Sequence, residues 1–375
     1  MARSSGHDQE TITHPADPVG VIFSASEPFF RAAEEELRSA FTPAVKVHRL
    51  GPDAGRLESK SIDIAEVAEM CRRRPVVFVR HLMRELATVP IAADRDCDAK
   101  QAREMAVRLA AEGAGQDISL QVWVSGPSAI RAEGLRATLA DQLADEGCQV
   151  ARAGREHVLS VCVTPKCISV GLTLRSHSLS DWPGGRVRLA KDPHQVSRAE
   201  FKLDELFKVF DLRLPAGGRA LDLGASPGGW TRVLRRRGFT VWAVDPAELS
   251  PRLTADPKVH HMPTTAGNFL AETGLTFDVV VNDMRMTPAR SCEVMLDAAH
   301  RLEPGGLAVM TLKVSPHGAL PEIQKGLQML ERSYEVLFAR QLYHNRNEVT
   351  VVVRRNGRQK PSAPTRRRKR RSGAR

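Results

Sequence analysis

Residues 219–245 read RALDLGASPGGWTRVLRRRGFTVWAVD. An apolar run, Ala220-Leu221-Asp222-Leu223, ends in Gly224 and passes into the turn Ala225-Ser226-Pro227-Gly228-Gly229. A helix-forming stretch follows from Trp230, and then a second apolar run, Val241-Trp242-Ala243-Val244, ends in Asp245. Strand, tight turn, helix and strand in that order open a doubly wound α/β domain, whose ligands sit beyond the carboxyl ends of the strands. Gly224, Gly228 and Gly229 carry no Cβ and are expected to let the backbone come close to a ligand. Asp245, at the tip of the second strand, is placed to accept hydrogen bonds from a ribose diol. Pro227 inside the turn departs from a dinucleotide fingerprint, and no further turn glycine waits to cradle a pyrophosphate. The pattern therefore predicts a nucleoside without phosphates, and S-adenosylmethionine (SAM) fits best.

Downstream, residues 277–281 read as a fourth strand, 290–301 as a helix, 307–312 as a fifth strand and 320–331 as a helix. Residues 334–340 and 349–354 are two closing strands with no crossover helix between them, so one must run antiparallel. This ending suits a methyltransferase sheet better than a dehydrogenase one. Upstream, 197–210 is a helix whose apolar side is Phe201, Leu206, Phe207 and Phe210. Polar residues punctuate these elements: Lys202 near the start of that helix, Asp283 after the fourth strand, Lys313 at the end of the fifth and Glu348 at the start of the last. Strand tips in this topology converge on one edge. Methyl transfer to a hydroxyl needs a proton removed from oxygen. A lysine, with a free pKa of roughly 10.4, becomes a base when burial or neighbouring cations lower it. A second lysine would stabilise charge developing on the attacked oxygen, and no metal is required. Singly, each residue has an ordinary reading. A strand-end lysine is commonly a surface residue, Glu348 suits a loop salt bridge, and Asp283 suits a bound water or the methionine amino group.

The first half is a mixture of strands and helices. Strands are expected at 21–23, 45–50, 76–79 and 118–124, the last half-buried by its alternation, and a hairpin at 158–164 and 168–174. Helices are expected at 29–41, 62–70, 99–111 and 130–146, the last with Leu135, Leu139 and Leu143 on one stripe. With no Gly-rich ligand loop, this half reads as a binding or positioning region. His81 has nothing nearby to complete a site. Residues 176–192 have the composition of a linker or exposed loop. The chain carries a formal charge of +11, but residues 354–375 hold eleven Lys/Arg and no acid, so the remainder is near neutral. A basic face is still expected at 152–202, with nine Lys/Arg against four acids. Residues 1–18 and the basic tail cannot bury enough apolar surface to fold alone. Six irregularly spaced cysteines suggest free thiols in a reducing compartment. No apolar run approaches the roughly 18 residues of a membrane span.

Ser197-Arg198-Ala199-Glu200-Phe201-Lys202-Leu203-Asp204-Glu205, with the 222–231 stretch DLGASPGGWT, resembles the FtsJ/RrmJ-like ribose 2'-O-methyltransferases. The 339–351 stretch ARQLYHNRNEVTV looks especially like the RlmM-type group of large-subunit (23S) rRNA (cytidine-2'-O)-methyltransferases. The resemblance implies a Rossmann-like class I SAM-dependent domain over 197–355, with a mostly parallel sheet and an antiparallel last strand. It implies an α+β THUMP-like RNA-binding region over 19–180, with 181–196 as a linker and 356–375 as a basic tail. It further implies a Lys202-Asp283-Lys313-Glu348 catalytic tetrad, with Lys313 as the base. Gly224, Ser226, Pro227, Gly228, Gly229, Trp230, Asp245 and Asp283 would surround SAM, with packing behind the loop an equal reading of Trp230, and Tyr343 and His344 would contact RNA or else brace the last hairpin. The product would be S-adenosylhomocysteine and the partner ribosomal RNA or a pre-ribosomal particle, in the cytoplasm, with no membrane or obligate protein partner. The alternatives are a base methyltransferase, a noncatalytic ribosome-assembly factor and, last, a dehydrogenase. Asn282-Asp283-Met284-Arg285 lacks the Pro-Pro-aromatic element usual in the first.

Overall fold

The computed structural model describes residues 20–41, 45–59, 63–73, 76–91, 95–113 and 117–357; the expectations for 1–18 and for the basic run at 366–371 lie outside them. The first sheet is built from β1 (Val21–Ala25), β2 (Lys46–Arg49), β3 (Ala54–Glu58) and β4 (Val79–Arg84), with α1 (Phe30–Ala40) and α2 (Ile64–Arg73) in the connections. Its order is β2-β3-β1-β4, and all its pairs are antiparallel. A second sheet follows, of β5 (Ala87–Pro90), β6 (Asp117–Val124), β7 (Gln149–Ala151), β8 (His157–Val163) and β9 (Cys167–Leu174), in the order β5-β9-β8-β6-β7. Its helices are α3 (Arg95–Gly113) and α4 (Ala132–Asp145), and α4 buries Leu135, Leu139 and Leu143 as its stripe requires.

The first half is thus α+β and built on two sheets. Phe23, Phe29, Phe30 and Phe78 of the first sheet and its helix share an apolar core with Met295, Ile323 and Val351 of the C-terminal domain. The second sheet keeps its own core. Periodicity in a sequence marks a buried face but not what covers it.

Local departures have visible causes. Residues 76–78 are not in a strand: the Glu36 carboxylate takes the Val77 and Phe78 N–H groups at 2.9 and 3.0 Å, and the Val77 carbonyl accepts the Gln341 N–H. Burial pushes Glu36 up to about 7. β6 is buried on both faces, including Ser119 and Gln121, because the first sheet and α4 lie on opposite sides of it. The 176–192 segment is irregular and exposed only in part. Ser178, Ser180 and Val187 are buried, and Gly184 and Gly185 press on Trp123 and Arg80, where any Cβ would collide. His81 is fully buried with its Nδ1 3.2 Å from the Ser180 carbonyl oxygen, and burial lowers its pKa to about 4. It is a core histidine.

The C-terminal domain runs α5 (Glu200–Val209), β10 (Gly218–Leu223), α6 (Gly229–Arg236), β11 (Phe239–Val244), α7 (Pro251–Thr254), β12 (Val259–Met262), α8 (Ala266–Glu272) and β13 (Phe277–Asn282). It continues through α9 (Pro288–Ala298), β14 (Leu302–Lys313), α10 (Ala319–Leu330), β15 (Tyr334–Arg340) and β16 (Glu348–Arg355). Thr287 caps α9 through its hydroxyl, with Pro288 at the first helical position, where its missing N–H costs nothing. The sheet order is β12-β11-β10-β13-β14-β16-β15. β10 to β14 run parallel, while β16 inserts antiparallel between β14 and β15. This is the mixed, Rossmann-like sheet expected. Its register sets Lys313 directly opposite Glu348.

Candidate functional site

Lys202, Asp283, Lys313 and Glu348 come from four different elements and meet in one cluster. The Lys202 ammonium lies 2.9 and 2.8 Å from the two Asp283 oxygens and 2.8 Å from Glu348. The Lys313 ammonium lies 2.6 Å from Asp283 Oδ1, and the Thr311 hydroxyl donates to that same oxygen at 2.6 Å. All four charged residues line a cleft of about 1190 Å³, with Phe201, Met286 and His344 on its walls and Arg198, Arg285 and Arg346 among its cations.

The two lysines are driven apart electrostatically. Burial would lower Lys202, but the carboxylates of Asp283 and Glu348 outweigh it and raise the pKa above that of a free lysine. Burial lowers Lys313, Asp283 opposes this, and the neighbouring Lys202 charge adds to the fall; the net direction is down. Burial alone would raise Asp283, but the flanking lysines hold it below the usual carboxylate range. Two titratable groups pushed in opposite directions in one cleft are what an acid–base division of labour requires.

The 224–229 turn is closed on itself. Gly224 and Ala225 N–H groups donate to the Val244 carbonyl, the Gly228 N–H to Ala225 and the Ser226 N–H to Asp245 Oδ2 at 3.1 Å. Few donors are left to hold a pyrophosphate, which agrees with a nucleoside bearing none. Asp245, half-buried at the β11 tip, accepts only backbone N–H groups, from Ser226 and Ala247, so carboxylate lone pairs remain for a diol. Asp245 and Asp283 terminate strands on either side of β10, acceptors suited to hydroxyl donors and to a cationic sulfonium.

The loop residues also have partners within the chain. Gly228 and Gly229 are required by the chain's own packing: a Cβ at Gly228, whose φ is +107°, would strike Leu253, and one at Gly229 would strike Ser197. Gly224, at φ +75°, makes room for the Met284 side chain. The Ser226 hydroxyl is given to the Glu248 carbonyl, and Pro227 stands exposed at the turn. Trp230 belongs to the core behind this loop. It is buried against Leu203 and Leu206, with its indole N–H on the Ala199 carbonyl at 2.9 Å. Amphipathic spacing would have assigned it to this core.

The sequence reading missed Asp222, Glu205 and Arg80. Asp222 is buried beneath the turn and holds the Thr231 hydroxyl at 2.6 Å; burial pushes it up to about 7. Glu205, one turn beyond Lys202 on α5, accepts the Tyr343 N–H at 2.8 Å, the His344 N–H at 2.9 Å and the His344 Nδ1–H at 2.6 Å. It ties α5 to the loop that delivers Glu348. Arg80, from the first sheet, donates to the Gln341 and Leu342 carbonyls of that loop at 3.2 and 3.0 Å. Half of the α5 residues are charged, so spacing alone does not single out Glu205 as buried. Glu205→Ala leaves two backbone N–H groups without their acceptor and is expected to cost about 3 kcal/mol, read as a lower urea midpoint at unchanged slope. Tyr343 is partly exposed, while His344 packs on Phe201 at the cleft wall, with ring centroids 5.0 Å apart.

Residues 195–359 match the family model of the FtsJ-like methyltransferases. Among curated proteins, the chain is 36% identical over 177 residues to the ribosomal RNA large subunit methyltransferase M of Halorhodospira halophila, covering 46% of this chain and 51% of that protein. It is 35% identical over 202 residues to the protein of the same name from Laribacter hongkongensis, covering 50% and 54%. The chain thus spans about half the length of these relatives. Among solved structures, TrmN from Thermus thermophilus is 14% identical, with 90% of this chain and 99% of that one covered, at a TM-score of 0.38, too low to carry an argument. No helix among the described residues is long and apolar enough to cross a membrane.

Proposed function

We propose that this protein, FtsJ-like over residues 195–359, is a SAM-dependent methyltransferase that modifies a ribose 2'-hydroxyl of RNA, the target being a cytidine of large-subunit ribosomal RNA. The observation that carries the reading is the single carboxylate, Asp283, shared by two lysines whose pKa values move in opposite directions. Bound SAM supplies an electrophilic methyl on a sulfonium. Asp245, whose carboxylate accepts only from the Ser226 and Ala247 N–H groups among the described residues, would hold the cofactor's ribose diol. Lys313, the lysine with the lowered pKa, accepts the 2'-hydroxyl proton at Nζ. Lys202, kept cationic by Asp283 and Glu348, stabilises the negative charge that grows on that oxygen. Thr311 and both lysines fix the Asp283 carboxylate, which in turn fixes the two ammonium groups.

The regions before residue 195 serve as the RNA-positioning part, with the second sheet as the THUMP-like element and the first sheet as a brace on the catalytic loop. Ribosomal RNA or a pre-ribosomal particle in the cytoplasm is the partner, and no obligate protein partner is needed. The names of the curated relatives support the ribosomal target. The absence of a Pro-Pro-aromatic element after Asp283 favours oxygen over base nitrogen. The test is transfer of labelled methyl from SAM to an unmodified large-subunit rRNA transcript, followed by mapping of the alkali-resistant linkage. Label on a base atom would overturn the ribose assignment, and no label on any RNA would overturn the function.

The charge arrangement also fixes a pH dependence. The reactive form has Lys313 neutral, so the rate rises with pH until Lys313 is deprotonated. In Lys202→Met the like charge that depresses Lys313 is gone and Asp283 pairs with Lys313 alone, so the Lys313 pKa goes up. The rising limb of the pH–rate profile is expected to move to higher pH; an unmoved limb would assign it to another group.

A further inference from the structure

The wall that joins the two halves encloses a second cleft, of about 680 Å³, separate from the one holding the tetrad. Exposed Arg72, Arg175 and Lys208 rim it, and half-buried Trp182, Phe210 and Phe338 supply its aromatic surface. Arg340 lies deeper, 94% buried by its 6% exposure, with its guanidinium 5.6 Å from the Phe210 ring and 5.7 Å from Phe338. Its Nε–H has no partner. It donates to the Cys71 carbonyl, and no carboxylate among the described residues forms a salt bridge with it. Asp181 is the one acid among the described lining residues; its Oδ2 accepts the Gly154 N–H, while its Oδ1 is buried without a partner.

We infer that this junction cleft binds a nucleotide of the substrate RNA outside the one that is methylated. The inference rests on the RNA reading above and deepens it by giving that RNA a second point of attachment. A phosphodiester is the ligand group that exposed arginines and a lysine hold best. Bases stack on half-exposed aromatic rings with little regard to sequence. The Lys208 ammonium lies 5.7 Å from the Trp182 ring, so cation and stacking surface are adjacent rather than scattered. A protein partner carrying carboxylates would use the cations but leave the ring faces without a flat counterpart.

The position makes the site useful to the reaction. α5 carries Lys202 near its start and Lys208 near its end, a rise of about 9 Å along the axis. The same helix therefore faces the tetrad with one end and the junction cleft with the other. β15 ends at Arg340, and the next residues, Gln341 and Leu342, are the ones Arg80 grips on the way to Glu348. A strand of RNA seated in the junction cleft and continuing along α5 would reach the catalytic cleft within a few nucleotides. Arg72, Arg175 and Trp182 come from the first half and the linker, Lys208 and Phe210 from the methyltransferase domain, so binding here also clamps the two halves together.

The test uses the full chain, with binding of a labelled single-stranded fragment of large-subunit rRNA followed by anisotropy across a potassium chloride series. The Arg175→Glu/Lys208→Glu double variant is expected to bind about tenfold more weakly at fixed salt and to reduce the salt slope by about 1.4, the loss of two phosphate contacts on a single strand. SAM affinity, measured calorimetrically, reports that the fold is intact. Ultraviolet cross-linking of wild-type protein to the RNA, with peptide mapping, is expected to recover peptides containing Trp182 or Phe210. Parent affinity and slope in the double variant, with cross-links confined to the tetrad cleft, would overturn the junction site while leaving the methyltransferase reading standing. Methyl transfer absent from wild type, but RNA binding that weakens as stated, would overturn the reaction and keep the site. Failure of wild type to bind RNA at all would overturn both.

Discussion

Lys313→Met is expected to lower kcat for methyl transfer by about 10²- to 10⁴-fold, the usual contribution of a positioned general base. Methionine keeps most of the lysine stem, so the strand end stays packed, and only the titrating nitrogen is lost. Asp245 and the 224–229 turn are untouched, so SAM affinity is expected to stay at the parent value. Single-turnover rates with RNA in excess, alongside calorimetric titration of SAM, separate the two quantities. A rate within a few-fold of the parent would remove Lys313 from proton handling. The arrangement in the cleft makes the contrast with Lys202 informative. Both lysines touch Asp283, but only Lys202 has Glu348 as a second anion at 2.8 Å. One variant abolishes the proposed base, whereas the other shifts that base's pKa.

Asp283→Asn should be the most damaging substitution in the cluster. It removes the anion that Lys202, Lys313 and Thr311 share and leaves two ammonium groups beside one another, with Glu348 paired to only one of them. Breaking a buried ion pair by removing one partner costs about 3–5 kcal/mol. The loss of activity is expected to be at least about 10³-fold, since the base and the charge-stabilising cation are both displaced. The sign of the pH effect can be stated. Without Asp283, Lys313 loses the carboxylate that opposed its lowering by burial and by Lys202, so its pKa lies further below the unfolded value and between those two limits the unfolded chain binds more protons than the folded one. Stability of the variant therefore rises with pH across that window. Urea midpoints measured from neutral to alkaline pH test this, and a midpoint that falls more steeply than the parent's would contradict it.

How much of this was legible in the sequence depended on the range of the interaction. The β10–turn–α6–β11 unit was readable because its signals are local: an apolar run, an acid or glycine at its end, and glycine and proline in the turn. β14 illustrates the limit. Its core at 307–312 was evident, but the strand begins at Leu302, across Pro304-Gly305-Gly306, with a shifted register against β13. The turn glycines read as ligand groups, and Trp230 as either a ligand group or a packing residue, because only their neighbours in sequence were visible. Leu203, Ser197 and Leu253, which give them structural work, arrive from elsewhere in the chain. Residues 176–192 read as an exposed linker for the same reason, since polarity says nothing of the Trp123 and Arg80 surfaces that receive Gly184 and Gly185.

The sequence by itself determined the strand–turn–helix–strand order of β10, α6 and β11, the acid at the tip of β11 and the residue types at 202, 283, 313 and 348. Each follows from steric and hydrophobic preferences of residues near one another in the chain. Tertiary structure decided which lysine keeps its proton and which is ready to take one, because a pKa answers to burial and to charges brought from distant positions. It decided too that a buried Glu205 and an arginine from the first sheet would hold the loop leading to Glu348. Fields and long-range hydrogen bonds have no counterpart in the spacing of letters.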